Sequence, residues 1–422
     1  MEKRTFLRHL GHAVAASPFL FTPWSSKATP VSFPLPAGPE PDFWSRIRAD
    51  YDLKPDYVNL ENGYYNIIPR PTLEAFVEKV RMVNYEGAYY MRTVQWENKN
   101  RISARLAKLL GCPADTLAVT RNTTESLDTI IGGYPWKAGD EAIYAGQDYG
   151  AMQDHFELVA QRYGVVCRKV SVPNHPESDE QLVSLYEQQI TPRTRLLMIC
   201  HMINITGQIL PVRKICDMAH RHGVEVLVDG AHCVGHIKVD LAELNCDYYG
   251  SSLHKWLSTP LGAGILYVKK EHIPKIWPLL AQHHTEPDDI TRLNHTGTHP
   301  VHTDLAIDAA IDYLEQIGLE RKEARLRYLQ RYWTEPLRGH PGIRINTPEE
   351  PHRSAAIANA GIEGLDPAGL AKALLDDYGI YTVAIDGAGV QGCRITPNVF
   401  TTEPELDRLI AALKDLAEKH AP

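Results

Sequence analysis

The sequence contains no run of about 18 uninterrupted apolar residues, which excludes a transmembrane helix as its organising feature. Positive charge is not in excess either: 44 Lys+Arg against 52 Asp+Glu give a net charge of −8, which argues against a protein held mainly by nucleic-acid phosphates or anionic lipid. The seven cysteines form no CxxC pair, so neither a disulfide framework nor a zinc ribbon is expected. The 422 residues, 44% of them apolar, are typical of a globular protein of two or three domains.

The first thirty residues have the layout of an export signal. A basic start, KRTFL from Lys3, is followed by a small and apolar stretch at 13–21 and by small residues near 26–28. The KRTFL segment resembles the twin-arginine translocation motif, with Lys3 in place of the first arginine, and predicts a periplasmic protein. The alternative is a frayed N-terminal extension on a cytoplasmic protein. Closely spaced prolines then predict a linker over 31–48.

From residue 49 to residue 317, helical and strand patterns alternate. The predicted strands are 116–120, 141–144, 165–170, 196–200, 224–228 and 246–250, and the predicted helices are 73–85, 96–110, 124–131, 151–163 and 212–222. Strands separated by helices of about ten residues are typical of βαβ units. We therefore predict an α/β large domain whose mostly parallel sheet is sandwiched between helices.

Past residue 300 the pattern changes and predicts a smaller α+β domain at 318–422. Long helices are predicted at 306–317 and 320–333, followed by a strand (355–361), a helix (367–378), two strands (380–385 and 393–396) and a last helix (403–418). No internal repeat is visible.

Chemically active residues occur where the predicted strands end. Asp229 closes one apolar strand, and Lys255 follows the next strand, 255 − 229 = 26 positions later. Because the carboxyl ends of parallel strands share one edge, both can face one small molecule there. Such a pair suits pyridoxal phosphate, since the lysine forms a Schiff base with its aldehyde and the aspartate keeps its ring nitrogen protonated. The alternatives are an aspartate that caps the next helix and a solvated surface lysine.

Four residues at the same edge are candidates for binding phosphate. Thr123 and Thr124 open a helix after a short strand, where hydroxyls and free backbone N–H groups bind anions. Ser252 and His254 lie beside the lysine and add donors. By itself each would be an ordinary cap or turn residue.

Three more residues are candidates for contact with the cofactor ring. Tyr149 follows a strand and can lay its ring on the pyridine, and Asn204 follows another strand and can donate to the phenolic oxygen. His232 lies close to Asp229 in sequence and can either tune the proton balance or simply pack there.

With these residues the sequence resembles the class V branch of the aminotransferase family, of PLP fold type I, from about residue 55 onward. The matching motifs are Asp229-Gly230-Ala231-His232, Ser252-Leu253-His254-Lys255, Pro260-Leu261-Gly262-Ala263-Gly264, Thr123-Thr124-Glu125, Asn204 within 201–207, Arg394-Ile395-Thr396 and the helix after Thr402. The resemblance implies pyridoxal 5′-phosphate on Lys255, a large domain with a parallel sheet, a small C-terminal domain and Tyr149 as the stacking aromatic residue.

The resemblance further implies a homodimer with shared active sites. Gly297-Thr298 fits the position from which a partner chain completes the phosphate site. Arg394 would bind the α-carboxylate of the substrate, since a guanidinium binds two carboxylate oxygens side by side. The alternative for Arg394 is a structural salt bridge. Arg92 is a candidate for a second anionic group of the substrate, or else a surface residue.

One departure from the family pattern bears on the reaction. Cysteine desulfurases of this branch have a nucleophilic cysteine on a loop before the arginine, and the stretch 382–392 contains none. Cys393 lies in an apolar strand beside Arg394, so its thiol should point away from the guanidinium and stay protonated. The segments around His232, Lys255 and Thr298 are most similar to the isopenicillin-N-epimerase-like subgroup.

The sequence therefore predicts a PLP-dependent enzyme that acts at the amino group and Cα of an amino acid or peptide-derived amine. Transamination, epimerisation or related chemistry, in natural-product or siderophore maturation, fits the resemblance. A cysteine-independent C–S or C–N lyase stays open, as does a non-catalytic binding protein with this fold. A metal hydrolase built on His220, His222, His232 and His236 is disfavoured, because the first two point in different directions at a helix end. No metal, nucleic acid or membrane span is expected.

Overall fold

The structure is a computed structural model that describes residues 40–281 and 286–420. The predicted export signal at 1–30 and the first part of the predicted linker lie outside these residues. The remainder of that linker is helical instead: Glu40–Ala49 forms α1, and Phe43, Trp44 and Ile47 are buried. Their spacing puts the three side chains on one helical face, and burying that face outweighs the extended preference of the prolines before it.

The described residues form thirteen strands and thirteen α-helices, joined by turns and short 3₁₀ helices. The strands are β1 (Val58–Asn59), β2 (Leu117–Thr120), β3 (Glu141–Ala145), β4 (Val166–Val170), β5 (Thr194–Cys200), β6 (Glu225–Asp229), β7 (Tyr248–Ser252), β8 (Gly264–Val268), β9 (Ile343–Ile345), β10 (Ala358–Ile362), β11 (Ile380–Tyr381), β12 (Val383–Gly387) and β13 (Val390–Ile395). The helices after α1 are α2 (Arg70–Glu86), α3 (Ala88–Thr93), α4 (Gln95–Leu109), α5 (Thr123–Gly133), α6 (Gly150–Tyr163), α7 (Asp179–Glu187), α8 (Val212–Arg221), α9 (Leu241–Leu244), α10 (Val301–Ile317), α11 (Leu319–Thr334), α12 (Pro367–Asp376) and α13 (Glu403–Lys419). None of these helices is both long and apolar enough to cross a membrane.

Strands β2 to β8, within residues 117–268, form a seven-stranded sheet. Its order is β2-β8-β7-β6-β5-β3-β4; β4, β3, β5, β6 and β7 are parallel, and β8 is antiparallel to both neighbours. Successive residues of β5 join different apolar clusters, Leu196 and Met198 on one face and Leu197 and Ile199 on the other. Both faces are therefore covered, as a parallel sheet requires. The predicted α/β fold is confirmed.

A second sheet, antiparallel throughout, has the order β12-β13-β10-β9. Side chains of α11, α12 and α13 close its core, with Trp333, Leu370 and Leu409 fully buried. The strand predicted at 380–385 is two strands, because β11 leaves this sheet to pair with β1, where Val58 lies opposite Ile380. The domain boundary at 318 stays a prediction.

Candidate active site

The turn after β6 lies directly against β7. Asp229 is the last residue of β6 and lies opposite Gly250 of β7. The Gly230 N–H donates to the Gly250 carbonyl at 2.8 Å, and the Ser251 hydroxyl donates to the Gly230 carbonyl at 2.7 Å. A Cβ on Gly230 would lie 2.0 Å from Cζ of Tyr249, so only glycine allows this close approach.

Asp229 lies at this turn, and Lys255 follows three residues after the end of β7. Asp229 is buried, and its Oδ1 accepts the Ala231 N–H at 2.9 Å, so it also holds the turn that follows. Burial raises the pKa of Asp229, and the charge of Lys255 opposes that rise. Burial lowers the pKa of Lys255 to about 8, against the raising effect of Asp229. Lys255 is therefore not a solvated surface lysine.

His232 lies between Lys255 and the buried Trp256 and contacts both. Its Nε2 lies 3.1 Å from Lys255 Nζ, and its Nδ1 accepts the indole N–H of Trp256 at 3.3 Å. Burial holds the pKa of His232 well below its usual range, and the charge of Lys255 acts in the same direction. The imidazole is a neutral group hydrogen-bonded on both ring nitrogens.

The N-terminus of α5 meets the end of β7 and forms a cluster of donors. Asn122 caps α5 by accepting the Glu125 N–H at 2.8 Å. The Thr123 N–H donates to Ser252 Oγ at 2.9 Å, and the two hydroxyl oxygens lie 2.7 Å apart. Thr124 is the second residue of α5. A Cβ on Gly264 of β8 would lie 2.7 Å from the Asn122 backbone, so glycine allows this loop to close over the sheet.

His254 has an unused polar atom at this cluster. Its Nδ1 is buried and has no hydrogen-bond partner among the described residues. Burial lowers the pKa of His254 to about 4, so the ring is neutral. A buried nitrogen without a partner is costly, and a bound group that hydrogen-bonds to it would remove that cost.

Arg394 forms a buried salt bridge with Glu61. A salt bridge was the alternative for Arg394, and Glu61 was not predicted as a site residue. Its Nη2 donates to Glu61 Oε1 at 2.6 Å and its Nε to Oε2 at 3.2 Å, with both side chains buried. Its Nη1 donates to the Asn204 carbonyl at 3.2 Å, which puts the loop after β5 beside the guanidinium. Cys393 is on the opposite face, as predicted: it is fully buried and burial raises its pKa to about 11.

Three predicted residues lie at the surface. Tyr149 is the N-cap of α6, 46% exposed, just after β3 at the same end of the sheet as Asp229. Thr298 is exposed in the loop before α10, and Arg92 is exposed near the end of α3. The single chain brings neither Thr298 nor Arg92 into a hydrogen bond with Lys255 or Asp229, so their roles stay predictions.

Two residues of the site, Glu61 and Trp256, were not predicted from the sequence. Glu61 follows a strand of only two residues and belongs to no motif, and its partner comes 333 positions later. Trp256 follows Lys255 directly, and only its size and apolar character indicated a buried residue. Of the histidines considered for a metal, His220 bonds Asp247 and His222 bonds Glu187. Residues 40–281 and 286–420 contain no group of three or more His, Cys, Asp or Glu that could hold a metal ion.

The chain matches one protein family and several known proteins over most of its length. Residues 70–404 match the family Aminotransferase class-V. Isopenicillin N epimerase of Amycolatopsis lactamdurans is 31% identical over 397 residues, which are 89% of this chain and 99% of that protein. A cysteine desulfurase of Escherichia coli superposes with a TM-score of 0.77 at 25% identity, over 89% of this chain and 98% of that one. A C-DES variant with glycine covalently linked to its PLP cofactor has a TM-score of 0.78 at 21% identity, over 87% of this chain and 99% of that one.

Proposed function

The chain belongs to the aminotransferase class-V family and is a pyridoxal 5′-phosphate-dependent enzyme, and from that premise we propose that it acts at the Cα–H and amino group of an amino acid or peptide-derived amine. The observation that carries the proposal is the 3.1 Å contact of Lys255 Nζ with His232 Nε2, close enough to the buried Asp229 that its charge raises the pKa of Lys255. An acid, an amine and an imidazole at one edge of the sheet suit proton transfer at carbon.

The residues at this edge fit the cofactor. A phosphate needs several N–H and O–H donors. The hydroxyls of Thr123 and Ser252, which bond each other at 2.7 Å in the single chain, would turn to it, and the unpartnered Nδ1 of His254 would add a further contact. The buried carboxylate of Asp229 would hold a protonated ring nitrogen, and that positive charge would offset the cost of burying it. Tyr149 and Asn204 would contact the ring, and Lys255 would hold the aldehyde carbon.

When bound, pyridoxal phosphate supplies an aldehyde that takes up an amine and a ring that takes up electrons from carbon. Lys255 would hold the cofactor in the resting enzyme and, once its amine is free, would act as the base that removes the Cα proton. A pKa of about 8 suits that task, because the free amine is already a significant fraction near neutral pH. Arg394 would orient the substrate through its carboxylate.

Among the reactions that begin this way, epimerisation and transamination are the ones we propose. The 31% identity to an isopenicillin N epimerase supports the first and agrees with a substrate derived from a peptide. A persulfide route through cysteine is disfavoured by the buried, inward position of Cys393. A role in natural-product or siderophore maturation is part of the proposal, and a cysteine-independent lyase is the second candidate.

The test combines labelling with isotope exchange. Borohydride reduction of the holoenzyme followed by peptide mapping should put the label on Lys255, and label on another lysine would refute the assignment. Incubation of amino acids and amine-bearing peptides in D₂O should then give deuterium at Cα of the true substrate, with mass spectrometry identifying the product. Lys255→Ala is the control without exchange. A protein that takes up no cofactor would support the non-catalytic alternative.

We also propose a homodimer whose phosphate site is completed by Thr298 of the second chain. Two features support it: Thr298 is exposed, and Leu73, Val77 and Val80 form an exposed apolar stripe on α2. Mixing Lys255→Ala chains with Thr298→Ala chains, once the latter are shown to bind cofactor weakly, should restore activity, because one site of each mixed dimer has neither defect. Subunit exchange without recovered activity would mean that each chain works alone.

Export to the periplasm is proposed from the N-terminal segment, with a cytoplasmic protein as the alternative. The twin-arginine route carries folded proteins, so the cofactor would be loaded before export. Fractionation of cells that express the unaltered chain and an Arg4→Gln variant tests this. Periplasmic protein should be lost in the variant, and equal distribution of the two would refute a twin-arginine-type signal.

A further inference from the structure

The two ring nitrogens of His232 face different partners. Nδ1 receives the Trp256 indole N–H at 3.3 Å, and Nε2 lies 3.1 Å from Lys255 Nζ. The indole nitrogen can only donate, so Nδ1 must offer its lone pair. A neutral imidazole has one N–H and one lone pair. Because the ring is neutral, its proton is on Nε2 and points toward Lys255.

This assignment decides which form of the lysine is favoured. A free amine accepts the Nε2–H proton in a hydrogen bond. An ammonium group offers only N–H bonds and needs a lone pair at Nε2. A charged Lys255 and the indole N–H therefore compete for the single lone pair of His232. The indole N–H favours the uncharged lysine, in the same direction as burial.

We propose that Trp256 is a positioning residue for Lys255: it fixes the tautomer of His232 that donates from Nε2, and thereby lowers the proton affinity of the Lys255 nitrogen. The inference rests on the proposed function, in which Lys255 is the reacting amine. It adds a residue that acts through His232.

The surrounding side chains hold this arrangement in place. The Trp256 ring is fully buried and stacks on His236, with ring centroids 3.8 Å apart. His236 Nε2 accepts the Ala356 N–H at 2.9 Å, so its Nδ1–H donates to the His232 carbonyl, also at 2.9 Å. Lys322 Nζ donates to the Trp256 carbonyl at 2.5 Å. The backbone and the ring of His232 are both constrained.

Other groups also act on the protonation of this pair. The charged and titratable side chains that interact with Lys255 or His232 include Glu61, Cys200, Asp229, Cys233, His236, His254 and Arg394. A Trp256→Phe substitution leaves all of them in place and keeps an aromatic ring in the core. The substitution removes the indole N–H together with part of the ring, so a second background and a packing control are needed to separate the two effects.

The experiment is a double-mutant cycle in the holoenzyme with Trp256→Phe and His232→Gln. A glutamine amide has no tautomers and can donate to the Lys255 nitrogen without help from Trp256. The readout is the pH midpoint of the visible absorbance of the bound cofactor, which reports protonation of that nitrogen. Trp256→Phe should raise the midpoint by about 0.7 pH unit, roughly fivefold in proton affinity, as expected for one lost hydrogen bond. In the His232→Gln background the shift should fall below about 0.2 unit.

Trp333→Phe is the matched control. Trp333 is equally buried, and its indole nitrogen has no hydrogen-bond partner among the described residues. This variant loses the same ring volume without losing a hydrogen bond, so the midpoint should not move. If the midpoint moves as far in Trp333→Phe as in Trp256→Phe, the shift is due to lost packing and the proposal is overturned.

A second readout does not depend on Lys255 chemistry. Ring ¹⁵N shifts of His232 in histidine-labelled holoenzyme should show an unprotonated Nδ1, and protonated Nδ1 should appear in Trp256→Phe. A protonated Nδ1 in the unaltered protein, or an equal midpoint shift in both backgrounds, overturns the proposal. Cofactor attached at another lysine refutes the proposed function instead, and the ¹⁵N shifts then decide the tautomer alone.

Discussion

Replacing Glu61 by glutamine changes the charge beside Arg394 and keeps the shape of the side chain. Glu61 Oε1 accepts Arg394 Nη2 at 2.6 Å and also the N–H groups of Gly63 and Tyr64 at 3.2 and 2.9 Å. The amide oxygen of glutamine can take over these three bonds, and the bond at Oε2 is lost. The net charge of the pair rises from zero to +1 while the loop keeps its acceptor.

The expected gain in affinity for a carboxylate follows from the geometry of the guanidinium. Glu61 occupies the edge formed by Nε and Nη2. On the remaining edge, Nη1 donates one N–H to the Asn204 carbonyl at 3.2 Å. A substrate carboxylate that uses the other N–H groups of this edge would lie about 6 Å from that of Glu61. At an effective dielectric constant of about 20, two like charges at about 6 Å repel by about 3 kcal/mol. Water reduces this value, so Glu61→Gln should tighten carboxylate binding by about tenfold to a hundredfold.

The assay compares an amino acid with its own carboxamide. Both Kd values come from the absorbance change of the bound cofactor, using the amino acid that responds most strongly in the substrate screen. Glu61→Gln should lower the Kd of the amino acid by about tenfold or more and change the Kd of the carboxamide by less than about twofold. Glu141→Gln is the control, since Glu141 is also buried and is paired with Arg168 and Arg193 at the far end of β3. An equal response of acid and amide would refute the reasoning and remove Arg394 as the carboxylate site.

Three further outcomes test the pocket itself. Asp229→Asn should slow Cα deuterium exchange by several orders of magnitude while borohydride still labels Lys255, because a neutral amide does not hold a ring nitrogen protonated; near-normal exchange would contradict that role. Uptake of pyridoxal phosphate by the apoprotein should speed up with pH and level off above about 8, because only the free amine reacts and burial lowers the pKa of Lys255 to about 8. A rate still climbing at pH 10 would be inconsistent with that value. Gly230→Ala should destabilise the protein by about 1–3 kcal/mol in urea unfolding, because its Cβ would lie 2.0 Å from the Tyr249 ring. Gly150→Ala, with open space around the added Cβ, is the control, and equal stability of the two variants would contradict the clash.

The residues at the strand ends were predictable because each follows an apolar strand and because parallel strands share one carboxyl edge. Asp229 and Lys255 follow consecutive apolar strands, and parallel strands bring such positions to one edge whatever the details of packing. The opposite orientations of Cys393 and Arg394 followed from strand alternation in the same way. In each of these cases the relevant neighbours are close in sequence.

Features that depend on distant contacts were not predictable. Glu61 is a site residue only because β1, two residues long, pairs with β11 more than 300 positions later. The strand β8 was missed because its start, Gly264, was assigned to a motif and its antiparallel place between β2 and β7 follows from tertiary pairing. Helix α1 was missed because the prolines before it dominated the local composition.

The pairing of Glu61 with Arg394 has a consequence for the order in which the protein is made. Strands β2 to β8 are complete once residue 268 has been synthesised, so the sheet that carries Asp229 can assemble while the ribosome is still translating. At that stage Glu61 lacks its guanidinium, and the Asn62 N–H lacks the Thr396 hydroxyl that it meets at 2.6 Å in the finished fold. The nascent chain thus passes through a stage in which the strands around Lys255 can assemble while the Glu61–Arg394 pair cannot yet form. A chain that stops short of residue 394 lacks the guanidinium altogether and leaves Glu61 without its ion-pair partner.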